Sequence, residues 1–192
     1  MVSLSDREIV EQFQAGDPEK AFRSLVESHG KTVYNIALFT LNDEILAEDA
    51  TQDAFIKIYR NLGKFKGQSK LSTWIYRIVK NVCYDYLKKK RHLVAWEDVA
   101  EGMEPAADEF GPEEEVMTNW QHQELRDAVQ QLPVKQRLAI TLYYFQDKSY
   151  EEIAAIMGQP LNTIKSHIHR AKAALERSLS YSKGEGYEPV TV

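Results

Sequence analysis

The sequence predicts an all-α protein built from two small helical domains joined by an acidic linker. Three observations predict it. Apolar residues recur at intervals of three and four along most of the 192-residue chain, and no segment alternates with the two-residue period of a strand. Residues 93–118 break the helical pattern: they hold no Lys or Arg, two prolines and the run Glu113-Glu114-Glu115. The length allows one or two domains, each with a real core. The boundaries so drawn are 1–92 for the first domain, 93–118 for the linker and 119–180 for the second domain. Residues 181–192 form a tail without periodicity, expected to be unstructured.

In chain order, residues 3–30 read as helix, with Ser5 as N-cap, a Gly16-Asp17-Pro18 break and an Ala21/Phe22/Leu25/Val26 stripe. Helical spacing continues through Tyr34, Ala37, Leu38 and Leu41 as far as Asn42-Asp43. From Glu44 to Leu62 an amphipathic helix places Leu46, Ala50, Ala54, Ile58 and Leu62 at successive fourth positions, opposite Glu48, Asp49, Gln52 and Asp53. A basic, Gly-containing break over 63–68 precedes a helix from Leu71 to Leu87, with Leu71, Ile75, Ile78, Val82 and Tyr86 inward. Lys88-Lys89-Lys90-Arg91 closes it, where cations suit the helix dipole. After the linker, one helix spans 119–131 and another runs from Pro133 to about Phe145. The linker is about 26 residues, reaching at most roughly 90 Å extended and about 30 Å as a coil.

The last motif is the most specific. Ser149 caps a helix, with Glu152 completing a capping box, and Gly158-Gln159-Pro160 turns the chain into a second helix. There Ile164, Ile168, Ala171 and Leu175 share one face. Asn162, Ser166 and His169 share the other, flanked by Lys165 and Lys172 on one side and Thr163 and Arg170 on the other. Small polar groups between cations suit base edges and phosphates, so this reads as a helix-turn-helix.

Net charge is −5, but it is unevenly placed: −7 over 1–56, +10 over 57–92 and −8 over 93–192, with −9 in 97–115 and +3 in 161–177. Screening over about 10 Å makes these local fields, and not their sum, decide what docks where. The basic segment 57–92 interleaves eleven Lys or Arg with Tyr59, Phe65, Trp74, Tyr76, Tyr84 and Tyr86. Rings for stacking and cations for phosphates are what unpaired bases need. Tyr86 and Tyr59 are expected in the core; Trp74 and Phe65, beside the basic loop, are expected exposed.

Other chemistries find little purchase. Glu48, Asp49 and Asp53 share a helix surface but lack a second cluster of ligands, and His167 and His169, two apart, face different ways. There is no phosphate loop and no nucleophile set. The single cysteine, Cys83, excludes an internal disulfide and reads as a buried thiol. No apolar run approaches the roughly 20 residues of a membrane span, and the N-terminus lacks a signal peptide's order; a cytoplasmic protein without metal or cofactor is expected.

The segment AEDATQDAFIKIYRNLGKFKGQSKLSTWIYRIVKNVCYDYLKKKR, followed by LPVKQRLAITLYYFQDKSYEEIAAIMGQPLNTIKSHIHRAKAAL, resembles the small extracytoplasmic-function sigma factors of bacterial RNA polymerase. The resemblance covers nearly all of residues 10–180. It implies that Asp49, Gln52, Asp53 and Phe55 face the clamp coiled coil of core polymerase, and that residues 132–146 lean on its flap. It implies that Phe65, Lys66, Trp74, Arg77, Asn81, Lys88 and Arg91 handle the −10 element, with an extruded base near the 63–70 loop. It assigns Asn162, Thr163, Lys165, Ser166, His169, Arg170 and Lys172 to the −35 element, and implies control by an anti-sigma factor. His167 stands where the family commonly has arginine, and Phe39 where it has a basic residue. The reading is a promoter-specificity subunit, not an enzyme; its rival is a dimeric helix-turn-helix regulator of duplex DNA, with a nuclease or a pure interaction protein behind it.

Overall fold

The computed structural model describes residues 4–97 and 124–184, with side chains for 4–90 and 124–179. Every element among them is helical. Helix α1 (Asp6–Gln14) starts at a Ser5/Glu8 capping box. Asp17 caps α2 (Pro18–Leu41), with Pro18 in the first turn where its missing N–H is not needed. Asn42, at φ 55°, ends α2, and Asp43 at once caps α3 (Glu44–Leu62) by accepting from the Leu46 amide at 3.1 Å. Helix α4 (Leu71–Glu97) follows the basic loop. Ile9, Leu25, Ile36, Ile58, Leu62 and Ile75 meet in the centre of this four-helix unit, each wholly buried. Cys83 is buried with them, and burial pushes its thiol up to about 12, so it is inert.

The second unit comprises α5 (residues 124–130), α6 (Val134–Ile140), a π-helical turn (Thr141–Phe145), α7 (Tyr150–Met157) and α8 (Leu161–Gly184). Ser149 and Glu152 form the expected capping box. Gly158 turns the corner at φ 66°, a conformation any Cβ would strain. Three expectations are corrected. Helix α4 runs to Glu97 rather than giving way to linker at 93, because Leu93-Val94-Ala95-Trp96 contains no breaker. Helix α8 likewise continues to Gly184, so residues 181–184 are helix and not tail. Pro133 is the cap of α6, and the helix widens into the π turn at Thr141 instead of running regularly to Phe145. The expected linker over 98–118 and the tail beyond 184 lie outside the described residues.

The units pack on each other. Helix α7 lies on α4 and α6 on α2. Leu138, Leu142, Ile153 and Ile156 join Ile36 and Ile75 in one continuous apolar cluster. At its edge Arg137 of α6 is buried, its guanidinium donating to the Gln130 carbonyl of its own unit and, at 2.9 Å, to the Thr40 carbonyl in the last turn of α2. Thr40 O is one of the carbonyls a helix end leaves without an internal partner, and α2 has no basic residue of its own there. The second unit therefore caps a helix of the first.

Candidate nucleic-acid and polymerase interface

Three faces emerge. The first is the outer side of α3. Asp49, Gln52 and Asp53 are exposed together there. Phe55 does not join them; it is half-buried, edge-on to Phe22 at 6.1 Å. The hydrophobic residues on the acidic side are instead Ile45, 75% exposed, and Ile56, 48% exposed. At spacings of four, three and four, Ile45, Asp49, Gln52 and Ile56 line one stripe. The signal for these two lay in the sequence as apolar residues off the 46/50/54/58/62 register. Tyr86 supports this face by donating its hydroxyl to Asp53 at 2.9 Å; partial burial, then Asp53 and Asp49, push that phenol up to about 12.

The second face joins the 63–70 loop to α4. Phe65 and Trp74 are half-buried rather than exposed, their rings tilted together at 5.4 Å. Each must seat against the core for the loop to hold its shape, which composition alone does not reveal. Tyr59, expected in the core, is 40% exposed, resting edge-on against Phe13 and Phe22. A cleft of about 590 Å³ opens between α1 and the loop, lined by Val10, Gln14, Phe65, Lys66, Gly67 and Lys70 among others. That is room for a nucleobase, with Phe65 as an aromatic wall and a rim that mixes Arg7, Lys66 and Lys70 with Asp6 and Glu11. Lys66, Asn81 and Lys88 are exposed; the side chain of Arg91 lies outside the described residues. Arg77 is engaged, its Nε donating to the Ala155 carbonyl at 3.1 Å, while Lys80 Nζ donates to Met157 O at 3.4 Å and Lys70 pairs with Glu152 at 2.7 Å. Two cations of α4 thus sit at the carbonyl end of α7, where the dipole favours them.

The third face is α8. Ile164, Ile168 and Ala171 are buried, and Asn162, Lys165, Ser166, His169 and Arg170 are exposed on the far side. Thr163 and Lys172 are half-buried on the flanks. Ser166 Oγ donates back to Asn162 O at 2.9 Å, so its lone pairs remain free for an incoming donor. His167 is half-buried with no partner on either ring nitrogen; burial, then Lys135 and Arg170, lower its pKa and so favour the neutral ring. Phe39 stacks on Phe145 of the π turn at 5.1 Å and 24°, which makes it a contact between units rather than a lost phosphate contact. Among the described residues no three carboxylate, imidazole or thiol groups converge, and no helix is long and apolar enough to cross a membrane.

An acidic face on α3, an aromatic-basic loop and helix, and a helix-turn-helix thus follow one another along the chain. The model of Sigma-70 region 2 matches residues 25–93 and that of Sigma-70 region 4 matches residues 122–175. The chain is 37% identical over 187 residues to the ECF RNA polymerase sigma-E factor of Escherichia coli, covering 92% of this chain and 95% of that one. It is 34% identical over 181 residues to the RNA polymerase sigma-H factor of Pseudomonas aeruginosa, covering 91% and 93%. Among solved structures, the sigma factor RpoE of Bartonella quintana in complex with the anti-sigma factor NepR superposes with TM-score 0.68 at 27% identity, over 84% of this chain and 98% of that one. The chain belongs to the extracytoplasmic-function sigma factors of bacterial RNA polymerase.

Proposed function

We propose that the three faces divide the work of promoter opening as follows. The α3 stripe, Asp49, Gln52 and Asp53 together with Ile45 and Ile56, docks on the clamp coiled coil of core polymerase, with residues 132–146 against its flap. Phe65, Lys66, Trp74, Arg77, Asn81, Lys88 and Arg91 capture the −10 strand. Stacking of about 1–3 kcal/mol per base offsets the few kcal/mol of unpairing. Asn162, Ser166 and His169 meet base edges of the −35 element, and Thr163, Lys165, Arg170 and Lys172 its phosphates. The polymerase carries out the chemistry. An anti-sigma factor restrains the chain, a reading supported by the likeness to a relative solved with one.

The observation that carries the division is the loop cleft walled by Phe65, whose ring packs on Trp74: a space with room for an extruded base, which a reader of duplex DNA alone has no use for. The test is in vitro transcription on a promoter library by core polymerase with and without this chain. The reading expects initiation only with the chain, from sites sharing two separated elements. Binding to a palindrome without polymerase would favour a dimeric regulator instead.

A further inference from the structure

Lys172 is held in an unusual way for a cation beside a recognition helix. Its ammonium lies 5.3 Å from the ring centre of Tyr144 and 5.6 Å from that of Tyr143. These rings, neighbours on the π turn, stand edge to face at 4.9 Å and 90°. Tyr143 in turn stacks on Tyr150, at the start of α7, at 5.1 Å and 21°. The groups that raise the Lys172 pKa are Tyr144, then Tyr150 and Tyr143, with no carboxylate among them. Three phenols and one cation therefore converge, and the charge is left for an external anion.

Position narrows the anion. Lys172 is two helical turns beyond exposed Lys165 on the same flank of α8, about 10.5 Å along the axis. Tyr144 is 53% exposed, a large aromatic kept at the surface rather than folded into the core. Its hydroxyl is a donor at the surface, and the neighbouring ammonium strengthens it. An ammonium and an adjacent phenol are matched to two oxygens of one phosphodiester.

We propose that Tyr144 and Lys172 form a backbone-phosphate clamp at the edge of the −35 duplex, with Tyr143 and Tyr150 positioning Lys172. The proposal rests on the reading of α8 as the −35 helix, and within residues 132–146 it turns Tyr144 to the duplex and leaves the remainder of that stretch to the flap. Tyr144 touches the phosphate directly. Tyr143 acts through Lys172 by holding its long side chain in one place, which reduces the rotamer freedom lost on binding.

The test measures binding of promoter duplex to the reconstituted holoenzyme by fluorescence anisotropy between about 50 and 200 mM salt. Tyr144→Phe is expected to weaken binding about fivefold, equally for every −35 variant and without changing the salt slope, since a neutral hydroxyl displaces no counterion. Lys172→Ala is expected to reduce the slope by about 0.9. The double variant is expected to lose no more than about twofold beyond Lys172→Ala, because the phenol needs the ammonium to fix the phosphate. Tyr143→Leu keeps the cation and its slope while weakening binding severalfold; Tyr143→Phe restores it. Wild-type affinity in Tyr144→Phe at every salt, or an unchanged slope in Lys172→Ala, overturns the clamp. Asn162→Ala in the same assay separates the two ideas. If it alters −35 preference while the clamp variants are inert, only the clamp fails; if all are inert, the −35 reading fails with it.

Discussion

Arg137 offers the sharpest test of the packing between the two units. Arg137→Met keeps the apolar stem and most of the volume but removes the donors to Thr40 O and Gln130 O. A hydrogen bond from a charged donor contributes about 1.5–3 kcal/mol, and a buried carbonyl left bare costs about 1–3 kcal/mol. Against this, burial disfavours the guanidinium, as its lowered pKa records, and its Nε has no partner. A net loss of about 2 kcal/mol follows, or a fall in Tm of roughly 4–8 °C for a chain of this size. The same loss should loosen one unit from the other. The −35 and −10 elements lie about 25 base pairs apart, roughly 85 Å of duplex at 3.4 Å per step, whereas Arg77 of α4 touches Ala155 of α7 at 3.1 Å. On the proposed assignment of α8 to the −35 element and α4 to the −10 element, both are readable at once only after the units part. Arg137→Met should therefore raise the radius of gyration in small-angle scattering above that of the unsubstituted chain. It should also tighten core binding up to about thirtyfold, the equivalent of 2 kcal/mol. An unchanged Tm together with an unchanged radius would refute the reasoning, since the bridge would then carry no net stability.

Charge reversal at Asp49 and Asp53, or Ile45→Asp alone, should weaken capture of core polymerase at least tenfold, about 1.4 kcal/mol, while normal co-purification would remove that face from the docking assignment. Trp74→Ala with Asn81→Ala should spare polymerase binding but abolish permanganate reactivity at the −10 region; retained reactivity would sink the melting role. Asp6 faces His29 at 3.2 Å, and that hydrogen bond, opposed by burial, holds its carboxyl below the ordinary 3.8. Its stabilising contribution is thus present above 3.8 and lost as pH falls through the lower folded value. Asp6→Asn should flatten acid unfolding below about pH 4, and an unaltered acid limb in a denaturation series would contradict the linkage.

Much of the candidate site was legible in the sequence because its signals are local. The N-cap at Ser5, the capping box at Ser149, the Gly158-Gln159-Pro160 corner and the 3–4 spacing of Ile164, Ile168 and Ala171 each specify themselves within a few residues. The polar face of α8 emerged on the residues expected, since burying one stripe of a helix exposes the opposite one. Phe55 and Phe65 were harder to place, because whether an aromatic faces solvent depends on a partner distant in the chain: Phe22 for one, Trp74 for the other. Ile45 and Ile56 went unnoticed because an apolar residue off register is invisible until the core is drawn.

By itself, then, the sequence determined the helices, their caps, the order of the three faces and the family. Periodicity and capping are short-range and add up along the chain. Only the tertiary structure decided that Arg137 caps a helix ninety-seven residues away, that Phe39 stacks on Phe145, that Arg77 donates to the Ala155 carbonyl and that three tyrosines gather around Lys172. These are pairings between separated segments. Each is set by which surfaces meet when the apolar faces are buried together, and no window of the sequence contains both partners.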